Sequence, residues 1–127
     1  MAKSSIGVGF VAVTHPHVYT RADILSEMPG VKLVAVWDDE DAQNAATFAQ
    51  RYNVEREASL QSLLARNDID AVIIESWTQN MAPLAIAALS AGKAVLLEKP
   101  GGNNPAAIAS VDEAVRRTNG YLTLLEI

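Results

Sequence analysis

The sequence predicts an α/β fold, a doubly wound parallel sheet of six strands. Three observations carry the prediction. Short apolar, β-branched runs recur along the whole chain, segments with helical apolar spacing separate them, and Gly, Pro or Asn marks most changeovers. Strands that follow one another across a helix pair in parallel through long right-handed crossovers, which cover both faces of the sheet.

The first strand runs from Ile6 to Val13, and a helix from about His17 to Met28 carries Val18, Ala22, Leu25 and Met28 at steps of three and four before Pro29-Gly30 ends it. "VKLVAVWD" is strand two. The helix from about Asp41 to Tyr52 lines Ala42, Ala45, Ala46, Ala49 and Tyr52 along one face, and such small residues suit close packing on a sheet. A weak strand near Val54 and a short helix, "SLQSLLAR", follow. Strand four, "DAVIIES", is apolar without alternation, as a strand covered on both faces should be. The helix "NMAPLAIAALSAGK" is apolar nearly all round and therefore deeply buried, with Pro83 acceptable only in its first turn and Gly92 as its stop. "AVLLEKP" is strand five. The helix "NPAAIASVDEAVRRT" has Pro105 early, an apolar stripe of Ile108, Val111 and Val115, and Asp112/Arg116 and Glu113/Arg117 pairs one turn apart. Asn119-Gly120 then turns the chain into strand six, "YLTLLEI". The expected order is 3-2-1-4-5-6, whose winding reverses between strands one and four and opens a crevice at their carboxyl ends.

The 127 residues suit one domain, 1–127, with no repeat, low-complexity tract or linker. Half the residues are hydrophobic and 20% are charged, an ordinary globular balance. No apolar run approaches the roughly 20 residues of a bilayer span, so no membrane partner is expected. "MAKSSIGVGFVAV" lacks a cleavage site and reads as strand one rather than a secretory leader. The absence of cysteine excludes disulfides, thiolate catalysis and Cys-ligated zinc, and accords with a cytoplasmic location. A net charge of −5 disfavours nucleic acid as a partner, because phosphate binding needs a basic face.

At the crevice, a dinucleotide fingerprint would place glycines in the first turn for tightness, for approach of the pyrophosphate and for helix packing. The matching register reads Ala12-Val13-Thr14-His15-Pro16-His17, with none of the three. Gly7 and Gly9 lie too early, inside the strand, where close packing accounts for them. A methyl group at Ala12 is tolerable if the turn keeps a negative φ, and Thr14 offers a hydroxyl to a phosphate at the helix start. Ala12, Thr14, His15 and His17 are candidate cofactor contacts at this turn; in the alternative His15 and His17 are plain polar residues of the helix start, and a metal pair would lack a third ligand. Asp38 ends strand two, 26 residues beyond Ala12. A carboxylate there accepts hydrogen bonds from an adenosine ribose and repels a 2′-phosphate, which favours NAD over NADP; in the alternative, "DDED" caps the next helix through Asp39 or Glu40. Lys99, between Glu98 and Pro100, is held extended at the end of strand five and can orient a substrate oxygen or transfer a proton.

Together these stretches resemble the N-terminal Rossmann domain of the Gfo/Idh/MocA family, the glucose-fructose oxidoreductase and inositol dehydrogenase group. The resemblance spans essentially the whole chain and is closest in "ALSAGKAVLLEKP". It implies an NAD(P)-dependent oxidoreductase that transfers hydride to or from a sugar, polyol or related hydroxyl compound. It also implies roles by position. Asp38 would hold the adenosine ribose, Ser76 would border the cofactor, Glu98 would lie near the nicotinamide ribose, and Lys99 would face cofactor and substrate as the catalytic residue. Ser76-Trp77-Thr78 and Met81 depart from the family's Thr-Pro-Asn and His, leaving Trp77 either to stack on a base or ribose or to plug the loop. Glu75 would oppose a pyrophosphate unless turned away or neutralised. The family's second α/β domain, which covers the nicotinamide and supplies a catalytic His, has no counterpart in these 127 residues, so the chain alone is expected to be catalytically incomplete. The competing readings are a noncatalytic nucleotide-binding or regulatory module with a degenerate turn, and a chain that completes its site with a partner subunit. Strand six should present an apolar edge, which favours a homo-oligomer.

Overall fold

The computed structural model describes residues 5–14, 16–98 and 104–125. Six parallel strands form one sheet in the order β3-β2-β1-β4-β5-β6, as the alternation predicts. The elements are β1 (Ile6–Val11), α1 (His17–Ser26), β2 (Val31–Trp37), α2 (Ala42–Tyr52), β3 (Glu55–Arg56), α3 (Leu60–Leu64), β4 (Ala71–Ile74), α4 (Thr78–Ser90), β5 (Ala94–Glu98), α5 (Pro105–Thr118) and β6 (Leu122–Leu125). No helix among the described residues is long and apolar enough to cross a membrane.

The alternation of side chains along each strand divides the core into two layers. Val8 and Phe10 of β1 meet Val18 and Ala22 of α1 and Phe48 of α2 on one face; Val11 shares the other face with Leu63 of α3, with α4, and with Val111 and Ala114 of α5. Phe10 and Phe48, both fully buried, lie with their ring centroids 4.6 Å apart. Each such side chain contributes about 1.5–3 kcal/mol by leaving water.

Gly7 and Gly9 have the packing role expected of them. A Cβ on Gly7 would come 1.8 Å from the Asp68 carbonyl oxygen, and one on Gly9 2.8 Å from Ile69 Cδ1. The loop that approaches so closely is pinned: Lys93 Nζ donates to the carbonyls of Arg66 and Ile69, both at 2.7 Å, and the Gly7 N–H donates to Asp70 Oδ2 at 2.8 Å.

Helix ends follow local chemistry. The N-cap of α2 is Asp41, not Asp39 or Glu40, and its carboxylate accepts from Gln43 N at 2.9 Å. Ser59 and Ser62 form a reciprocal capping box on α3. At the end of α4, Gly92 takes φ +82 while its N–H bonds Leu89 O and that of Lys93 bonds Ala88 O, the paired pattern that ends a helix at glycine.

Three expectations need correction. α4 begins at Thr78, which puts Pro83 in its second turn rather than its first, at an exposed position where solvent can serve the Gln79 carbonyl. α1 stops at Ser26, and Met28 lies beyond it, 46% exposed. Ile108, read as part of the buried stripe of α5, is 48% exposed; with Tyr121 and Leu124 it gives the α5–β6 edge an exposed apolar character.

Candidate functional site

The carboxyl ends of β1, β2, β4 and β5 converge where the winding reverses, and the loops that leave them carry the polar groups of the crevice. The first turn keeps the backbone of a glycine turn without the glycine. Ala12 has φ +75, which corrects the expected negative φ, and is fully buried; its N–H donates to Trp37 O at 2.6 Å. The left-handed region costs a residue with a Cβ about 1–2 kcal/mol. What holds the turn there is Asp38.

Asp38 is 9% exposed and accepts five hydrogen bonds. Oδ1 takes Val13 N at 2.7 Å and the Thr14 hydroxyl at 3.3 Å. Oδ2 takes Glu40 N at 3.1 Å, Asp41 N at 2.9 Å and Asn44 Nδ2 at 3.1 Å. One carboxylate thus clasps the β1–α1 turn to the entry of α2. The Thr14 hydroxyl, expected to face a phosphate, spends its proton on this clasp. Beyond the turn, α1 begins at His17 with Pro16 as its N-cap in helical dihedrals and no side-chain cap among the described residues, so the positive end of its dipole is available to an anion.

The neighbouring residue bridges the crevice. Asp39 Oδ2 accepts from Ser76 Oγ at 2.5 Å and Asn80 Nδ2 at 3.1 Å, joining the loop after β2 to that after β4, over β1. Asn80 Nδ2 also lies 3.0 Å from Glu40 Oε1. Ser76 is buried, and Trp77 is 49% exposed at the N-cap of α4. Met81, where the resemblance leads to a His, is buried in the core.

The third feature is the trio of Arg21, Glu75 and Glu98, of which sequence reading named the two acids but missed Arg21. Arg21 projects from α1 between the ends of β4 and β5, its Nε 2.6 Å from Glu75 Oε1 and its Nη2 2.6 Å from Glu98 Oε2. Glu75 is fully buried and Glu98 is 7% exposed. Burial, reinforced by the adjacent Glu98 carboxylate and opposed by Arg21, pushes the Glu75 carboxyl up to about 8. Arg21 thus stands between two buried carboxyls, and the Glu75 carboxyl holds its proton further up the pH scale than an exposed one. Glu75 is both turned inward and neutralised, the condition under which an acid at that position is compatible with a diphosphate. The available clue was an acid ending an apolar strand, which demands a buried cation; Arg21 on the crevice side of α1 is that cation. His17, the first residue of α1, brings Nδ1 within 3.9 Å of Glu98 Oε1. His15 and Lys99 lie outside the described residues.

A twisted parallel sheet wound in both directions from β1, with a helix start and paired acidic side chains at the reversal, defines a dinucleotide-binding α/β domain. Residues 5–125 match the family described as "Oxidoreductase family, NAD-binding Rossmann fold", GFO_IDH_MocA. The chain belongs to this Gfo/Idh/MocA family and constitutes its NAD(P)-binding Rossmann domain. It is 36% identical over 95 residues to inositol 2-dehydrogenase 3 of Saccharopolyspora erythraea, covering 75% of this chain and 26% of that protein. It is 32% identical over 111 residues to inositol 2-dehydrogenase of Gluconacetobacter diazotrophicus, covering 86% and 31%. Among solved structures, biliverdin reductase from Synechocystis sp. PCC 6803, in complex with biliverdin and NADP+, superposes with a TM-score of 0.83 at 31% identity over 94% of this chain and 37% of its own. The chain thus spans about a quarter to a third of the length of the two dehydrogenases.

Proposed function

We propose that this domain binds NAD in preference to NADP and serves an oxidoreductase acting on a sugar, polyol or related hydroxyl compound. The observation that carries the cofactor reading is the crevice over β1. There an uncapped helix start suited to a diphosphate faces acidic side chains after β2 suited to a ribose diol, and the one ill-placed acid, Glu75, is neutralised. Bound nicotinamide supplies the hydride acceptor or donor. The chain's own residues bind and orient: α1 and the Ala12–Thr14 turn for the pyrophosphate, the loop after β2 for the adenosine ribose, Ser76 and Trp77 along the loop after β4, with Glu98 and His17 on the nicotinamide side. His15 and Lys99 complete this assignment from sequence, Lys99 as the group that meets the reacting oxygen. The substrate class rests on the inositol dehydrogenases among the relatives.

Isothermal titration with NAD, NADH and NADP tests this reading. Micromolar binding with NAD tighter than NADP is expected; silence with all three overturns it in favour of a noncatalytic module. The exposed Ile108, Tyr121 and Leu124 support self-association through the α5–β6 edge. Light scattering after size exclusion should show a concentration-dependent mass, and a monomer at every concentration refutes it.

A further inference from the structure

We propose that Arg21 is a positioning residue for the nicotinamide half of the dinucleotide: its guanidinium ties the end of β5 to the end of β4 and fixes the direction in which the Glu98 carboxylate meets the ligand. The inference rests on the cofactor reading above, which puts Glu98 on the nicotinamide side.

β4 and β5 run side by side with Ile74 opposite Leu97, so the next residue of each strand, Glu75 and Glu98, become neighbours. Both are buried, and two acids so placed repel each other and lose their hydration. Without a cation between them, one acid would turn out toward solvent and take its strand end with it. Arg21 prevents this with two different nitrogens, Nε on Glu75 Oε1 and Nη2 on Glu98 Oε2, each at 2.6 Å. A guanidinium is planar and rigid, so its bond to Glu75 also sets the plane in which Glu98 is held.

The grip is directional as well as neutralising. Arg21 lines a cleft of about 180 Å³ whose other walls, Ile24, Leu25, Ile73 and Leu96, are apolar and give the guanidinium no second acid to turn to. It stands four residues after His17 on the same face of α1, and His17 Nδ1 lies 3.9 Å from Glu98 Oε1, so one helix addresses both oxygens of that carboxylate. The start of the same helix is the diphosphate site, and the spacing between the diphosphate and Glu98 is therefore fixed within α1. A carboxylate aimed at ribose hydroxyls forms strong charge-assisted bonds only while its direction is held. Lysine would supply the charge on a flexible stem, without the fork.

The experiment is isothermal titration of the wild-type chain, Arg21→Lys, Glu98→Gln and the double variant with NAD and with ADP, which carries the adenosine and diphosphate but no nicotinamide riboside. Arg21→Lys keeps a cation between the acids and gives up the fork. It should weaken NAD about tenfold, the scale of a hydrogen bond to a charged group, and leave ADP unchanged. Glu98→Gln should do the same, and the double variant should lose no more than either alone, because Arg21 acts through Glu98. Equal losses for NAD and ADP mark a structural or general electrostatic role and overturn the proposal. So do unchanged NAD binding in Arg21→Lys, losses that add in the double variant, and a wild type that holds NAD no more tightly than ADP. Should Arg21→Lys fail to fold, the wild type is read directly by nuclear magnetic resonance: the Arg21 Nε–H signal should shift on addition of NAD and not of ADP. A signal that NAD leaves in place, or that both ligands move alike, overturns the proposal. Silence of the wild type with both ligands overturns the underlying cofactor reading, and is seen before any variant is compared.

Discussion

Replacing Glu75 with Gln keeps the shape of the Arg21–Glu75–Glu98 trio while removing its titratable proton. In the folded chain that proton stays bound up to about 8, whereas the unfolded chain releases it near 4.5. Between these values the native state binds more protons than the unfolded one, so stability falls as pH rises, by about 1.4 kcal/mol per unit. The accumulated loss is of order 3 kcal/mol at pH 7, and it levels off once both states are ionised, above about pH 8. Below about pH 4.5 both states hold the proton and the effect vanishes. Glu75→Gln has no such dependence: its amide can donate to Glu98 and its carbonyl can accept from Arg21 at every pH. Carboxylates held low by Arg66, Glu57 and Asp68, respond at more acid pH and equally in both proteins, so the difference between variant and wild type isolates Glu75. Urea denaturation from about pH 5 to about pH 8 should show the variant gaining on wild type by roughly 3 kcal/mol across the range. A difference that stays flat, or moves in favour of wild type as pH rises, refutes the buried, proton-holding carboxyl.

Arg21→Met removes the cation between two buried carboxyls and should destabilise the chain by about 3–5 kcal/mol at neutral pH, measured by the same denaturation. Ala12→Gly relieves a Cβ at φ +75 against a loss of about 0.5–1 kcal/mol from the freer unfolded chain, so melting should change little or rise slightly, while titration shows tighter NAD binding. Gly7→Ala drives a methyl into the Asp68 carbonyl and should lower stability by about 3 kcal/mol or more, read as a collapse in melting temperature.

Most of the fold was legible because it is written in periods. The strand order follows from five apolar runs and one weak strand joined by five helical crossovers; five strands fall inside the runs assigned to them, while β3, expected near Val54, is the charged pair Glu55–Arg56 just beyond it. The errors sit where a period meets a boundary. Ile108 has the spacing of a core residue, but it lies in the first turn of α5 beside the last strand, where nothing among the described residues covers it. Pro83 misled because the start of α4 is set by the loop after β4, and no local cap marks Thr78. At the site, sequence located the acids after β2 and placed Glu98 at the site edge ending strand five, but it could not divide the work among neighbours. Which of Asp38, Asp39 and Asp41 caps, clasps or bridges depends on where two loops meet in space. Arg21 was invisible for the same reason: its partners lie 54 and 77 residues away in sequence.

The missing glycines and the occupied Asp38 are two sides of one arrangement. A glycine turn is stable because its backbone reaches the left-handed region without penalty; with Ala12 there, the penalty must be met by contacts that hold the turn from outside. Those contacts come from Val13 N and the Thr14 hydroxyl, drawn onto Asp38 Oδ1, and from the Ala12 N–H on Trp37 O. The two substitutions are therefore coupled. Restoring glycine at position 12 should make the Asp38 clasp less necessary, so Asp38→Asn should cost less stability in the Ala12→Gly background than in wild type. A double-mutant cycle with a coupling near zero separates the two features and breaks this link.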